Sequence, residues 1–236
     1  MVGIRTCQES KLFANQPKIP RGCNAAFITL ISKVLNPSEM SQFRPISLIR
    51  IVYKILSKVL ANGIKKVLPS IMTNVQSAFF KNRQILDGPF LINEIIAWAK
   101  SKNEKLLMFK TDVAKAYDSV SRNYLDKVMA ASGFGQKWRR WITECLNSSY
   151  SSILVNGSPT EEFKLERGLR QRDPMDPFLF TLIMEGLNIL MAKAVEAGAF
   201  KGAKIGSEEY PLSHLFFADD AIYLGEWSSE NILNLT

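Results

Sequence analysis

Two adjacent carboxylates interrupt an apolar run. From His214 to Tyr223 the chain reads His-Leu-Phe-Phe-Ala-Asp-Asp-Ala-Ile-Tyr, with Asp219 and Asp220 in its middle. A stretch this rich in Leu, Phe, Ile and Tyr reads as a buried strand, and neighbouring strand residues point to opposite faces. Burying both charges unpaired would cost on the order of several kcal/mol per ion. A hairpin with Asp219-Asp220 at its tip removes that cost, because the carboxylates then meet solvent or bind a cation. A hydrophilic β-turn accounts for the same composition. A divalent-metal site needs a third carboxylate that also ends a strand, and Asp112 closes the apolar run Leu106–Asp112. Three carboxylates at one sheet edge repel strongly unless divalent cations neutralise them. Hard oxygen ligands suit Mg²⁺, which takes few protein ligands and shares the rest with water and phosphate. Two such ions lower the pKa of an attacking hydroxyl and stabilise a leaving pyrophosphate.

Such chemistry needs a basic surround to hold a triphosphate and a nucleic-acid strand. The composition supplies one: the net charge is +8 and the pI about 9.4, which favours a polyanionic partner, nucleic acid or an acidic membrane surface. The chain has 236 residues, 47% of them apolar, enough for one large domain or two small ones with a real core. Cys7, Cys23 and Cys145 have no CxxC spacing and fit a reducing, intracellular compartment better than a disulfide framework or zinc site. Met1–Lys11 lacks an apolar signal core, and no apolar run approaches the ~20 residues of a membrane span, so no membrane partner is expected.

The elements that must position these residues follow from pattern. Residues 1–24, with Pro17, Pro20 and Gly22, read as an irregular arm. Ala25–Val34 is β-favouring and ends near Lys33. Pro45 holds the chain extended at Arg44. Leu48, Ile51, Val52, Ile55, Leu56, Val59 and Leu60 make one apolar helical stripe, which predicts a helix ended by Pro69. Its Lys54, Lys58 and Lys65 suit either a solvated face or a nucleic-acid surface. Gln76–Gln84 interleaves basic and aromatic residues, as backbone contact with base stacking requires. A second helix is predicted over Leu86–Lys100 with Ile92, Ile95 and Ile96 buried. After Asp112 the chain turns away, and Ser121 caps a helix that Gly133 closes. A Trp-rich helix follows over Gln136–Leu146, then a hairpin about Gly157. Gly168–Pro174 reads as a polar loop before a helix near Pro177, buried through Phe180, Ile183, Met184, Leu187 and Leu190. Gly198–Tyr210 reads as a turn-rich connection. This order predicts α+β with an antiparallel sheet packed on helices.

At these residues the chain resembles a known family. Phe109-Lys110-Thr111-Asp112, Lys115-Ala116-Tyr117-Asp118-Ser119-Val120, Gly168-Leu169-Arg170-Gln171 and Phe217-Ala218-Asp219-Asp220 look like the reverse-transcriptase domain of non-LTR (LINE-type) retrotransposons, especially those of plants. Phe43–Leu48, Gln76–Phe79, Arg83–Gly88 and Val155–Pro159 match it in the same order. The resemblance runs from about Gly22 onward and implies a right-hand polymerase: fingers over 25–104, then palm with finger insertions over 105–236, truncated after the Asp-Asp hairpin with the thumb absent. It implies RNA-directed DNA synthesis on an RNA template from a DNA primer and dNTPs. Asp112, Asp219 and Asp220 would hold two Mg²⁺ ions, with Mn²⁺ as the alternative, and the main chain of Val113 nearby. Tyr117 would lie under the incoming sugar and clash with a 2′-hydroxyl. Lys33 and Arg44 match residues that grip the triphosphate, Gln171 the residue beside the sugar, and Arg83 a template-side position. Asp118 is read as structural.

The chain departs from the family pattern at named positions. Arg172 stands where the family usually has glycine, Asp176 where it has serine, Ser32 where it has proline and Asn82 where it has glycine. Arg172 would put a long side chain where glycine lets backbone approach the nucleotide, and Asp176 would add an anion near phosphates. An alternative reading follows: a catalytically inactive, truncated retroelement remnant that binds RNA. An RNA-dependent RNA polymerase fits less well because of Tyr117. The sequence leaves the oligomeric state open, and a nuclear destination would fit a retroelement product.

Overall fold

The computed structural model describes residues 17–20, 22–73, 87–112, 116–170, 172–206, 210–217 and 220–235, with the backbone alone at 87, 112, 210 and 217. The chain divides into two units, Met1–Leu68 with Tyr117–Leu179, and Pro69–Ala116 with Phe180–Thr236.

The first unit carries a five-stranded sheet. Strands β1 (Ala25–Ser32), β2 (Phe43–Ile49) and β4 (Tyr150–Val155) lie in the order β2-β1-β4, with the short β5 (Ser158–Pro159) and β6 (Phe163–Lys164) both on β4. β1 runs antiparallel to β2, with Ala26 opposite Ile49 and Ile31 opposite Arg44. It runs parallel to β4, from Ala25 opposite Tyr150 to Ile28 opposite Ile153. That parallel pair lies outside the antiparallel sheet that the sequence predicts. It joins segments more than a hundred residues apart, for which strand patterning carries no signal. The hairpin about Gly157 forms as predicted, with Asn156 at φ 50° and Gly157 at φ 82°, the two left-handed residues a tight turn needs.

Helix α1 (Ile51–Ile71) begins directly after β2. Its buried residues are Tyr53, Ser57, Leu60, Ala61, Ile64 and Leu68. The predicted stripe is therefore wrong in its facing: Ile51, Ile55 and Val59 are 69%, 50% and 62% exposed, and Leu48 belongs to β2. Ser57 explains part of the error, because its hydroxyl is used inside the protein and hydropathy does not count it. Pro69 lies within the last turn rather than ending the helix, and its ring, lacking an N–H, cannot make the bond back to the Lys65 carbonyl. A Cβ on Gly63 would collide with the Trp138 ring, so the absent side chain admits that indole against the helix. Helices α4 (Arg122–Ala131) and α5 (Gln136–Asn147) match the expectation, and the short α3 (Ala116–Ser119) precedes them. The Ser121 hydroxyl accepts from the Tyr124 N–H at 3.3 Å, and Gly133 sits at φ 81° past the helix end.

The second unit is built on β3 (Leu106–Asp112), β10 (Asp220–Glu226) and β9 (His214–Phe217), all antiparallel in the order β3-β10-β9. Leu224 and Ala203 are buried with Ile95 of α2 (Asp87–Lys102). Half-buried Leu106, Ile205, Leu212, Leu215 and Ile222 pack around them. Burying a Leu or Ile side chain contributes roughly 1.5–3 kcal/mol. As expected Ile95 is buried, while Ile92 and Ile96 are half-buried. The stretch read as a connection holds a ribbon, β7 (Ala203–Ile205) with β8 (Tyr210–Leu212). The final helix, α7 (Ser229–Leu235), is fixed by Asn231, whose amide donates to Lys201 O and Glu226 O, each at 2.9 Å.

Helix α6 (Asp176–Glu196) is long and apolar enough to cross a membrane by length and composition, contrary to the sequence reading. Its burial is that of a core helix: Leu179, Phe180, Thr181, Leu182, Met184, Glu185 and Asn188 are buried. Leu190, expected inside, is exposed, and Ile183 and Leu187 are half-buried.

Candidate active site

The carboxylates come first. β3 ends at Asp112 and β10 starts at Asp220, and the register sets Asp220 directly opposite Asp112. Directly opposed positions of an antiparallel pair share one face of the sheet. Two acidic positions 108 apart in sequence therefore meet at one sheet end. On its other side Asp220 opposes Phe217 of β9, so the β9–β10 connection is the expected hairpin. Asp219 and Val113 lie outside the described residues, and Asp220 is the first residue of its strand. The Asp220 carboxylate receives the Lys110 ammonium at 3.1 Å. Both groups are partly exposed, so the pair contributes little to stability. Among the described residues no group of three His, Cys, Asp or Glu side chains is assembled for a metal. Aspartate is a hard oxygen donor of the kind divalent cations take, and the register sets two aspartate positions opposite each other at one strand end.

Behind the hairpin a buried polar network holds β9 to α6. Asn188 Nδ2 donates to Thr73 Oγ1 at 2.9 Å and to Glu185 Oε1 at 2.8 Å. Its Oδ1 therefore faces His214 Nε2 at 2.7 Å. Nε2 must carry the proton, and Nδ1 accepts from the Ser213 hydroxyl at 2.8 Å. The ring is neutral, and burial pulls its pKa down to about 4. Sequence reading missed this network. A lone histidine at a strand start gives no sign of partners elsewhere in the chain.

The residues read as nucleotide contacts belong to the other unit. Lys33 follows β1 and is exposed; its Nζ donates to Ser41 O at 2.8 Å. Its N–H donates to Gln42 O at 2.7 Å. Arg44 is exposed on β2. Tyr117 is half-buried on α3, and its carbonyl accepts the Leu169 N–H at 2.8 Å. Gln171 and Arg83, with all of Gln76–Gln84, lie outside the described residues.

Gly168–Pro174 holds no helix or strand among its described residues, as predicted, yet its Leu169, Arg170 and Asp173 are buried, as is Asp176 just after it. Arg170 donates to Asn24 Oδ1 at 2.9 Å and to Asn24 O at 3.1 Å, and its guanidinium lies 5.4 Å from the Tyr53 ring centre. Asn24 is itself held, donating to Cys145 O at 2.6 Å and Ser148 Oγ at 2.9 Å. Asp173 accepts from the Ser57 hydroxyl and from the Met175 N–H at 3.0 Å. Asp173 N–H also donates to Arg170 O at 3.1 Å, closing a four-residue turn whose third residue, Arg172, sits at φ 71°. Turns with positive φ there ordinarily carry glycine. The local backbone thus demands what the family pattern supplies at 172, and the Arg172 side chain is exposed.

Asp176 does not stand near solvent, where it was expected to disturb phosphates. It is 1% exposed, with neither carboxylate oxygen at hydrogen-bonding geometry. Burial pushes its pKa well above the usual carboxylate range, and nearby Asp173 adds to that. The positive charges of Arg170 and Arg122 offset part of it. Burial likewise raises the Tyr53 phenol and the Cys145 thiol. A cavity of about 300 Å³, bordered by Tyr53, Arg122, Arg170, Asp173 and Asp176, lies here.

Residues 33–235 match the model of the family described as reverse transcriptase (RNA-dependent DNA polymerase). Relatives include a transposon TX1 uncharacterized 149 kDa protein of Xenopus laevis, 26% identical over 89% of this chain and 16% of its own length. Another is the retrovirus-related Pol polyprotein from type-1 retrotransposable element R2 of Popillia japonica, 27% identical over 87% of this chain and 28% of its own. The chain thus spans less than a third of either relative. In fold it is similar to telomerase from Candida albicans, solved with a fragment of telomeric RNA, at a TM-score of 0.59, 11% identity, and coverage of 97% of this chain and 43% of that one. The fold is accordingly the fingers-and-palm α+β architecture of these enzymes, whose family generally uses divalent metal ions and binds an RNA template. A match over nearly the whole sequence, on that fold and with Asp112 set against Asp220, leaves one conclusion: the chain belongs to the reverse transcriptase (RNA-dependent DNA polymerase) family.

Proposed function

We propose that this chain is the fingers (25–104) and palm (105–236) of a retrotransposon reverse transcriptase of the non-LTR, plant type, extending a DNA primer with dNTPs on an RNA template. The observation that carries it is the register of Asp220 against Asp112; the plant assignment rests on the motif run alone. In this reading Asp112, Asp219 and Asp220, with the main chain of Val113, hold two Mg²⁺ ions or Mn²⁺ in their place. When bound, such ions acidify the attacking 3′-hydroxyl and stabilise the leaving pyrophosphate. Lys33 and Arg44 neutralise the triphosphate, which is why both need exposed cationic heads. Tyr117 excludes a ribose 2′-hydroxyl by its bulk, Gln171 sits beside the sugar, and Arg83 meets the template. The net charge of +8 supports a nucleic-acid partner. The test is primer extension on homopolymer RNA with Mg²⁺ and dNTPs. Extension that Asp219→Ala abolishes is the expected result, and a folded chain that extends nothing counts against it.

Arg172 and Asp176 favour a second reading, an inactive remnant that binds RNA. One residue strains a turn and the other buries an unpartnered carboxylate. It predicts RNA binding that weakens as salt rises, without synthesis.

A further inference from the structure

Helix α1 has two apolar faces, and the chain buries one of them, through Tyr53, Leu60 and Ile64 among others. On the opposite side Ile51, Ile55 and Val59 are exposed. Residues four apart on an α-helix lie about 40° apart around its axis, so these three form one stripe about 12 Å long. Half-buried Val52 and Leu56 border it on one side. Exposed Lys54, Lys58 and Lys65 border it on the other, and exposed Lys66 lies on its continuation. Ile51–Ile71 contains no Asp or Glu, and Arg50 precedes it. None of these lysines enters an ion pair among the described residues.

An exposed apolar stripe with a polar rim marks a surface that binds another macromolecule. The make-up of this one selects the occupant. Phosphates would satisfy the lysines but leave the Ile and Val side chains in water, so a nucleic-acid strand uses only half of the face. A second copy of the same helix would cover the stripe but set lysine against lysine, and like charges across a seam repel. A helix with apolar residues at the same spacing and Asp or Glu beside them answers both features at once.

We propose that the outward face of α1 is a docking site for an acidic amphipathic helix of a partner protein. The test is fluorescence anisotropy of two labelled synthetic helical peptides with the whole chain. Both peptides carry one leucine stripe, flanked by glutamate in the first and by lysine in the second. The glutamate peptide is expected to bind, and the lysine peptide to bind at least ~10-fold more weakly. Ile55→Ser with Val59→Ser is expected to weaken the glutamate peptide ~10-fold through lost apolar contact. Lys54→Glu with Lys58→Glu is expected to reverse the preference, so that the lysine peptide binds more tightly, a gain that misfolding cannot produce. No binding of the glutamate peptide, equal binding of the two, or binding untouched by the Ile55 and Val59 changes overturns the proposal. Three rival outcomes overturn it as well. A dimer in sedimentation that the Ile55 and Val59 changes disperse assigns the face to a second copy. Homopolymer RNA binding that the same changes weaken assigns it to nucleic acid, and phosphatidylserine-vesicle binding that they weaken assigns it to a membrane surface.

Discussion

Replacing Arg172 by glycine should stabilise this protein. Arg172 occupies the third position of a turn closed by Asp173 N–H on Arg170 O, at φ 71°. A left-handed conformation costs an L-residue with a Cβ roughly 1–2 kcal/mol. Glycine escapes that cost but loses more chain entropy on folding, roughly 0.4–1 kcal/mol. The side chain is exposed, so little packing is lost. The balance is a gain of about 0.5–1 kcal/mol for Arg172→Gly, a rise of about 1–4 °C in melting temperature for a chain of this size. Urea unfolding should show a higher midpoint at unchanged slope. Arg172→Ala is the control, because alanine keeps the strain while removing the charge and length. The expected order is Gly above Ala, with Ala close to the parent. If Ala rises as far as Gly, charge rather than backbone governs the site. If Gly falls below the parent, the left-handed strain does not exist.

Asp176→Asn should stabilise by roughly 1–3 kcal/mol at pH 8, because folding no longer has to bury a carboxylate or take up a proton there, although the amide remains a buried polar group. The folded-state pKa of Asp176 is raised. Its contribution is therefore fully present below the unfolded pKa near 3.8 and lost as pH rises through the folded value, a slope that Asp176→Asn should remove from the stability–pH curve. His214 acts in the opposite direction. Its pKa falls from 6.5 to about 4 on folding, so stability is full above pH 6.5 and declines as pH falls toward 4. At about 1.4 kcal/mol per pH unit the loss is at most ~3 kcal/mol, absent in His214→Gln. Gly168→Ala should destabilise by at least about 2 kcal/mol, because the new methyl meets Asp118 backbone and alanine dislikes the φ of 77°. Thermal unfolding checks it.

What local pattern encodes was legible, and what distant pairing decides was not. Leu106–Asp112 matches β3 residue for residue because an apolar β-run ends at a charge. Ser121 and Gly133 bound α4 because caps are short-range chemistry. The facing of Asp112 and Asp220 was readable for the same reason, since each carboxylate marks the end of an apolar strand. In α1 the pattern failed. Apolar residues lie on several sides of that helix, and the buried stripe includes Ser57, whose value lies in its bond to Asp173. α6 is apolar almost all round, so no periodicity could single out Leu190 as exposed. The Arg170–Asn24 lock joins residues 146 apart, and the parallel pairing of β1 with β4 is equally remote. Neither leaves a mark at either end. Arg172 was singled out for its bulk, whereas the turn shows a backbone reason for glycine at that position.

The proposed function requires carboxylates from two distant strands to serve one pair of cations. Mn²⁺ titration followed by the electron paramagnetic resonance of free ion, with primer–template and dNTP present, measures this directly. Asp112→Asn and Asp220→Asn should each weaken binding at least ~10-fold, the share of one lost carboxylate ligand. If Asp112→Asn leaves Mn²⁺ binding unchanged while Asp220→Asn abolishes it, the two positions do not share a site, and the polymerase reading is contradicted.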